Sequence, residues 1–84
     1  MAIFVREATE GEKKYFKETQ YWECGTSKFD YVYPNDETCV VYEGLAEITC
    51  DGQTVTLEPG VLAFFPKGSS CVWNVIQPVK KYFR

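Results

Sequence analysis

Histidine is absent from this 84-residue sequence. Its absence removes the commonest general acid/base near neutral pH and the commonest metal ligand. It also excludes any Ser–His or Cys–His nucleophile pair. Basic residues are few: nine lysines and arginines against twelve acidic residues give a net charge of −3. Lys13-Lys14 and Lys80-Lys81 are isolated pairs, expected on a solvated surface, and they form no basic face for nucleic acid. No apolar run approaches the roughly 20 residues that span a bilayer as a helix. Residues 1–6 lack the charged start and long apolar centre of a secretory signal. The expectation is a cytoplasmic protein with neither nucleic acid nor membrane as partner. The four cysteines, Cys24, Cys39, Cys50 and Cys71, include no C-x-x-C pair, which argues against a zinc knuckle. In a reducing compartment they are expected as free thiols, most of them acting as small buried hydrophobes.

What is present suits a packed core. Hydrophobic residues make up 45% of the chain and aromatics 17%. Residues 1–84 read as one domain, short enough that a partner subunit, a disulfide or a metal would add to a thin margin of stability. Residues 2–6 form a plausible opening strand. Thr9-Glu-Gly-Glu12 has the form of a capping box, so one or two helical turns follow to Phe16. Residues 25–28 read as a turn. Residues 29–33 then alternate strictly, with Phe29, Tyr31 and Tyr33 on one face, which is the signature of a strand. Residues 37–42 form a second clear strand, with Glu37, Cys39 and Val41 on one face. Glu43-Gly44 marks a kink or bulge before the strand continues to Cys50. Asp51-Gly52 is a strong hairpin signal. Pro59-Gly60 and Pro66-Lys67-Gly68 bracket a short apolar strand, and Cys71 opens another that Gln77-Pro78 ends or redirects. Short strands separated by turns every eight to twelve residues imply an all-β barrel or sandwich.

The spacing of these turns resembles the cupin superfamily. Its second motif, G-x5-P-x-G-x2-H-x3-N, is matched in register by Gly60, Pro66 and Gly68. Cys71 stands in the position of the histidine and Val75 in that of the asparagine. Its first motif, G-x5-H-x-H-x3-4-E-x6-G, is matched by Glu37 and Gly44, with Tyr31 and Tyr33 in the positions of the two histidines. The match covers residues 29–76 and implies a single-domain cupin, a double-stranded β-helix or jelly-roll barrel. The strings Trp22-x-Cys24, Phe29-x-Tyr31, Glu37-Thr-Cys39, Phe65-Pro-x-Gly68 and Cys71-x-Trp73 look like the third cupin subfamily, the (S)-ureidoglycine aminohydrolase type.

The resemblance places Tyr31, Tyr33, Glu37, Cys39, Cys71 and Trp73 in or near the barrel mouth. The leading expectation is a pocket that binds a small molecule, without the usual histidine-based metal site and without a cofactor. One alternative is a metal-dependent enzyme using Glu37 and Cys71 as ligands. Another is a dimer-forming structural module, since cupins commonly dimerise by sheet extension; a homodimer is expected on either reading. A thiol–disulfide role needs Cys39 and Cys71 within bridging distance, with Cα atoms closer than about 7 Å.

Overall fold

A computed structural model describes residues 3–84, so Ala2, the expected start of the first strand, lies outside the described residues. In chain order the elements are β1 (Phe4–Glu7), α1 (Glu10–Phe16), β2 (Gln20–Cys24), β3 (Ser27–Val32), β4 (Glu37–Cys50), β5 (Gln53–Leu57), β6 (Val61–Phe65) and β7 (Ser70–Phe83). The strands pair antiparallel throughout, in the order β1-β6-β4-β7-β2, with β3 also on β7 and β5 also on β4. The expected all-β barrel in one domain is what the chain forms.

The framework is the ladder between β4 and β7, each fourteen residues long. Each changes its second partner along its length. On β4 the partner is β6 over residues 37–40 and β5 over residues 46–50. On β7 it is β3 over residues 70–75 and β2 over residues 79–83. The change coincides with register shifts between Val41 and Ala46. Gly44 lies there at φ 99°, and a Cβ at Gly44 would stand 2.2 Å from the Pro78 carbonyl oxygen. Only glycine fits that conformation and that contact. Pro78 has no N–H to give to a ladder, and strand prolines belong at such irregularities. The Gln77-Pro78 signal therefore redirects the strand rather than ending it.

Local chemistry explains the other junctions. Asp51 and Gly52 both have positive φ, 48° and 79°, which suits a tight hairpin between β4 and β5. The Thr9 side chain accepts from the Glu12 N–H and the Glu12 carboxylate accepts from the Thr9 N–H, closing the capping box at α1. The expected turn at residues 25–28 is tighter than the sequence implies, because β3 begins at Ser27. Tyr33 falls just past β3, held by its N–H to the Ser69 carbonyl and by its own carbonyl, which accepts from the Gly68 N–H.

Two apolar layers result. The larger fills the barrel with Tyr33, Val41, Ile48, Leu57, Phe65, Trp73, Val75 and Val79, among others. The smaller, Ala8, Phe16, Val40 and Leu62, lies between α1 and the outer face of the sheet. Val40 and Val41 are both fully buried because β4 is covered on both faces where the helix crosses it. Inside the barrel Cys50 and Cys71, directly opposite each other on β4 and β7, form a disulfide. This corrects the expectation of four free thiols. Closing a loop of 21 residues stabilises a chain of this kind by about 3 kcal/mol on chain-entropy grounds.

Candidate functional site

The mouth of the barrel holds a pocket of about 200 Å³ lined by Trp22, Phe29, Tyr31, Tyr33, Glu37, Trp73, Lys81 and Phe83. The strands arrive there for simple reasons of register. On β7 the odd-numbered residues 71, 73, 75, 79 and 81 are buried, so the alternation that turns Trp73 inward also turns Lys81 inward. Trp22 of β2 is the direct cross-strand neighbour of Lys81. Glu37 opens β4 on the face shared with Cys39 and Val41, and Val41 lies opposite Lys81.

Lys81 is 4% exposed and its ammonium donates to Glu37 Oε2 at 2.7 Å. The same ammonium sits 4.9 Å from the ring centres of Trp22 and Trp73 and 5.6 Å from that of Phe83. Aromatic faces within about 6 Å attract a cation, most strongly where water is excluded. A buried lysine needs such compensation, since removing a charge from water costs several kcal/mol before any partner is found. Glu37 supplies the counter-charge and the rings supply the rest. The expectation that Lys80-Lys81 is a solvated pair is thus corrected for one member. Lys80 points outward to an exposed ion pair with Glu43, while Lys81 points into the barrel.

Around this pair the aromatics interlock. Trp73 Nε1–H donates to the Tyr33 hydroxyl at 3.2 Å. Tyr33 stacks on Phe65 with ring centres 4.6 Å apart, and Phe29 stacks on Trp73 at 5.8 Å. Tyr31 meets Tyr33 edge to face at the rim and is 40% exposed. Burial, reinforced by the nearby Glu37 charge, pushes the Tyr33 phenol well above its ordinary pKa. Tyr33 is therefore a neutral hydroxyl at any physiological pH.

Four of the six sequence candidates, Tyr31, Tyr33, Glu37 and Trp73, line the pocket. Cys39 and Cys71 do not. Cys39 is fully buried, and burial pushes its thiol pKa up, so it is not a thiolate nucleophile. Cys71 is bonded to Cys50, which also corrects the suggestion of a Cys39–Cys71 couple. Glu37 meets the Lys81 ammonium, so its carboxylate enters the pocket already paired. Sequence reasoning missed Trp22, Phe29, Lys81 and Phe83 as pocket residues.

Cupin barrels imply a metal in this mouth, and the donors present do not fit one. Tyrosines occupy both first-motif histidine positions; phenols with reference pKa near ~10 are poor ligands for a divalent ion, and Tyr33 is shifted further upward. The residue in the second-motif histidine position, Cys71, is spent in a disulfide. Glu37 already carries a cation, the Lys81 ammonium. Among the described residues no group of three or more histidine, cysteine, aspartate or glutamate side chains converges as a metal site would require. This overturns the reading of Glu37 and Cys71 as joint ligands.

Comparison with known proteins points the same way for the fold. The profile of the EutQ-like cupin domain matches residues 10–83. A DUF861 family protein from Thermotoga maritima has a structure similar to this chain at TM-score 0.92 and 34% identity, over 99% of this chain and 98% of its own. A protein of unknown function (DUF1255) from Acidithiobacillus ferrooxidans is similar at TM-score 0.71 and 19% identity, over 74% of this chain and 60% of its own. The Clostridium difficile EutQ protein is similar at TM-score 0.69 and 24% identity, over 96% of this chain. This chain spans 64% of that EutQ protein's length, and at such identity the likeness is one of fold alone. No curated protein matches this chain closely enough to carry a function across.

Proposed function

The chain belongs to the EutQ-like cupin family, and from that premise we propose that it binds a small molecule in the barrel mouth through aromatic contact and an internal ion pair rather than through a metal. The observation that carries this reading is the Lys81 ammonium, 2.7 Å from Glu37 Oε2 and within 5.6 Å of three aromatic ring centres that line the pocket. Concave sites with apolar walls and a few convergent polar groups are the usual form of a ligand site. The volume of about 200 Å³ falls below the ~300 Å³ at which drug-sized pockets begin, so the ligand is small. The finer likeness to ureidoglycine aminohydrolase-type cupins implies metal-dependent chemistry. The Glu37–Lys81 pair supports binding without that step.

The two tryptophans of the chain both line the pocket, which gives a direct assay. In nitrogen-15-labelled protein each contributes one indole N–H signal. A library of small ring compounds should contain members that move both signals saturably. A complete library that leaves both signals in place ends the small-molecule reading.

A second reading, a homodimer, is supported by one edge of the sheet. β1 ends the strand order, and Phe4 on it is 46% exposed and stacked on Phe64 of β6 at 5.5 Å. An unprotected edge strand invites pairing with a second copy. Sedimentation at micromolar concentration should give a dimer, and a monomer removes this reading.

A further inference from the structure

The pocket's polar capacity specifies more than small size. Glu37 and Lys81 cancel one another's charge, so a charged ligand entering beside them would bring an uncompensated charge into a site walled by aromatic rings. The pair nevertheless retains hydrogen-bonding capacity of both kinds. Glu37 accepts the lysine bond on Oε2, which leaves Oε1 as an acceptor without a partner among the described residues. An ammonium has three N–H donors. One goes to Glu37; no oxygen or nitrogen among the described residues takes the other two, and the aromatic rings around the ammonium are weaker acceptors than a carbonyl oxygen. The Tyr33 hydroxyl accepts from Trp73, and its own proton has no acceptor among the described residues.

The ammonium that donates to Oε2 at 2.7 Å belongs to the same pair as the unpartnered Oε1, so donor and acceptor stand side by side and are complementary to one kind of planar group. The edge of a primary amide, or of a cyclic amide held cis, presents a carbonyl oxygen beside an N–H. A carboxylate presents two acceptors and an alkylammonium only donors; each leaves one half of the pair unmatched and adds a charge. Resting on the binding function proposed above, we propose that the pocket takes a small uncharged primary amide or a cyclic amide whose N–H and carbonyl share one edge. Its carbonyl oxygen is held by Lys81, its N–H by Glu37 Oε1, and its flat body lies against Trp22 and Phe83. No bond is made or broken in this recognition.

The test uses the wild-type protein, because a variant at Lys81 or Glu37 strands the other charge and destabilises the fold. Four probes that share a phenyl ring are titrated while the Trp22 and Trp73 indole signals are followed: benzamide, N,N-dimethylbenzamide, benzoate and benzylamine. Benzamide should move both signals at a concentration about tenfold or more below that needed for each of the others, the difference expected when a buried donor or acceptor is left unmatched. Benzoate or benzylamine binding as tightly as benzamide overturns the amide assignment. Dimethylbenzamide binding as tightly as benzamide overturns the role of Glu37 Oε1. In both cases pocket binding itself stands. Failure of all four probes, when other ring compounds do bind, also overturns the amide assignment. If no ring compound binds, the proposed function falls together with it.

Discussion

Two ion pairs in this molecule have nearly the same length and opposite surroundings. Lys81 and Glu37 meet at 2.7 Å in the barrel mouth, with side chains 5% and 15% exposed. Arg6 and Glu12 meet at 2.6 Å beside the capping box, with side chains 48% and 27% exposed. Distance does not distinguish them; solvent does. The pair at the cap is screened by water and ions, and Glu12 has other reasons to be where it is, since it also accepts from the Thr9 N–H. The pair in the mouth is shielded by Trp22, Trp73 and Phe83, so each charge depends on the other. Removing one partner leaves the second stranded. The lesson is that a short salt bridge marks a site only where its members have no alternative partner, and that condition holds in the mouth.

The largest effect follows from breaking the buried pair. Lys81→Met should destabilise the fold by about 3–5 kcal/mol, the usual consequence of leaving one buried charge unpaired. Adding Glu37→Leu to that variant should recover most of the loss, since an apolar replacement of both members is often neutral or better. Urea denaturation of the two variants measures both effects, and a double variant no more stable than the single one would show that the lysine acts by packing alone. Arg6→Ala, by contrast, should leave the urea midpoint nearly unchanged.

A second effect tests how the mouth is assembled. Gly44→Ala places a Cβ against the Pro78 carbonyl at a positive φ, and should cost about 3 kcal/mol from strain and overpacking together. The bend it disturbs lies three residues before Lys81, so tryptophan fluorescence should change along with stability. A stable Gly44→Ala protein with an unaltered spectrum would mean the bulge does not set the pocket. A smaller effect is expected for Tyr33→Phe, about 1–2 kcal/mol, because the Trp73 N–H loses its acceptor in a buried position. Hydrogen exchange at that indole reads the change directly.

The smallest effect belongs to the cap and concerns pH. The hydrogen bond from Arg6, then that from the Thr9 backbone, lowers the Glu12 pKa from 4.5 to about 2. A depressed carboxylate pKa stabilises the fold above the ordinary value and loses that contribution as pH falls through the folded one. Comparing wild type with Glu12→Gln between pH 5 and pH 2 should therefore show the two stability curves converging as acid is added. Parallel curves would mean the cap pair contributes nothing that titrates.

The barrel was legible in the sequence because its determinants are local. Thr9-x-x-Glu12, Asp51-Gly52, Pro59-Gly60 and Pro66-x-Gly68 each act within a few residues, and each appears where the spacing put it. Part of the pocket was legible too: the cupin-like spacing, supported by alternation, picked out Tyr31, Tyr33, Glu37 and Trp73. The cation was not. Lys81 lies eight residues after Trp73 on the same strand, an even count that puts both side chains inward. A Gln77-Pro78 signal that ends or redirects the strand interrupts that count, and a Lys-Lys pair read alone looks solvated. The ladder through Pro78 exists because Gly44 on the other strand makes room for it, and that is a long-range fact. The Cys50–Cys71 bridge was hidden for the same reason: it follows from the β4–β7 register, which no local spacing reports. Trp22 and Phe83 enter the pocket through cross-strand pairing and were likewise out of reach.

The central claim is that Glu37 in the barrel mouth is paired with a lysine ammonium rather than with a metal. Elemental mass spectrometry on untagged protein, purified without chelators, tests it most directly. The ion-pair assignment predicts no zinc, iron, manganese or copper near one equivalent, in the wild type or in Glu37→Gln. Near-stoichiometric metal in the wild type that is lost in Glu37→Gln would contradict it.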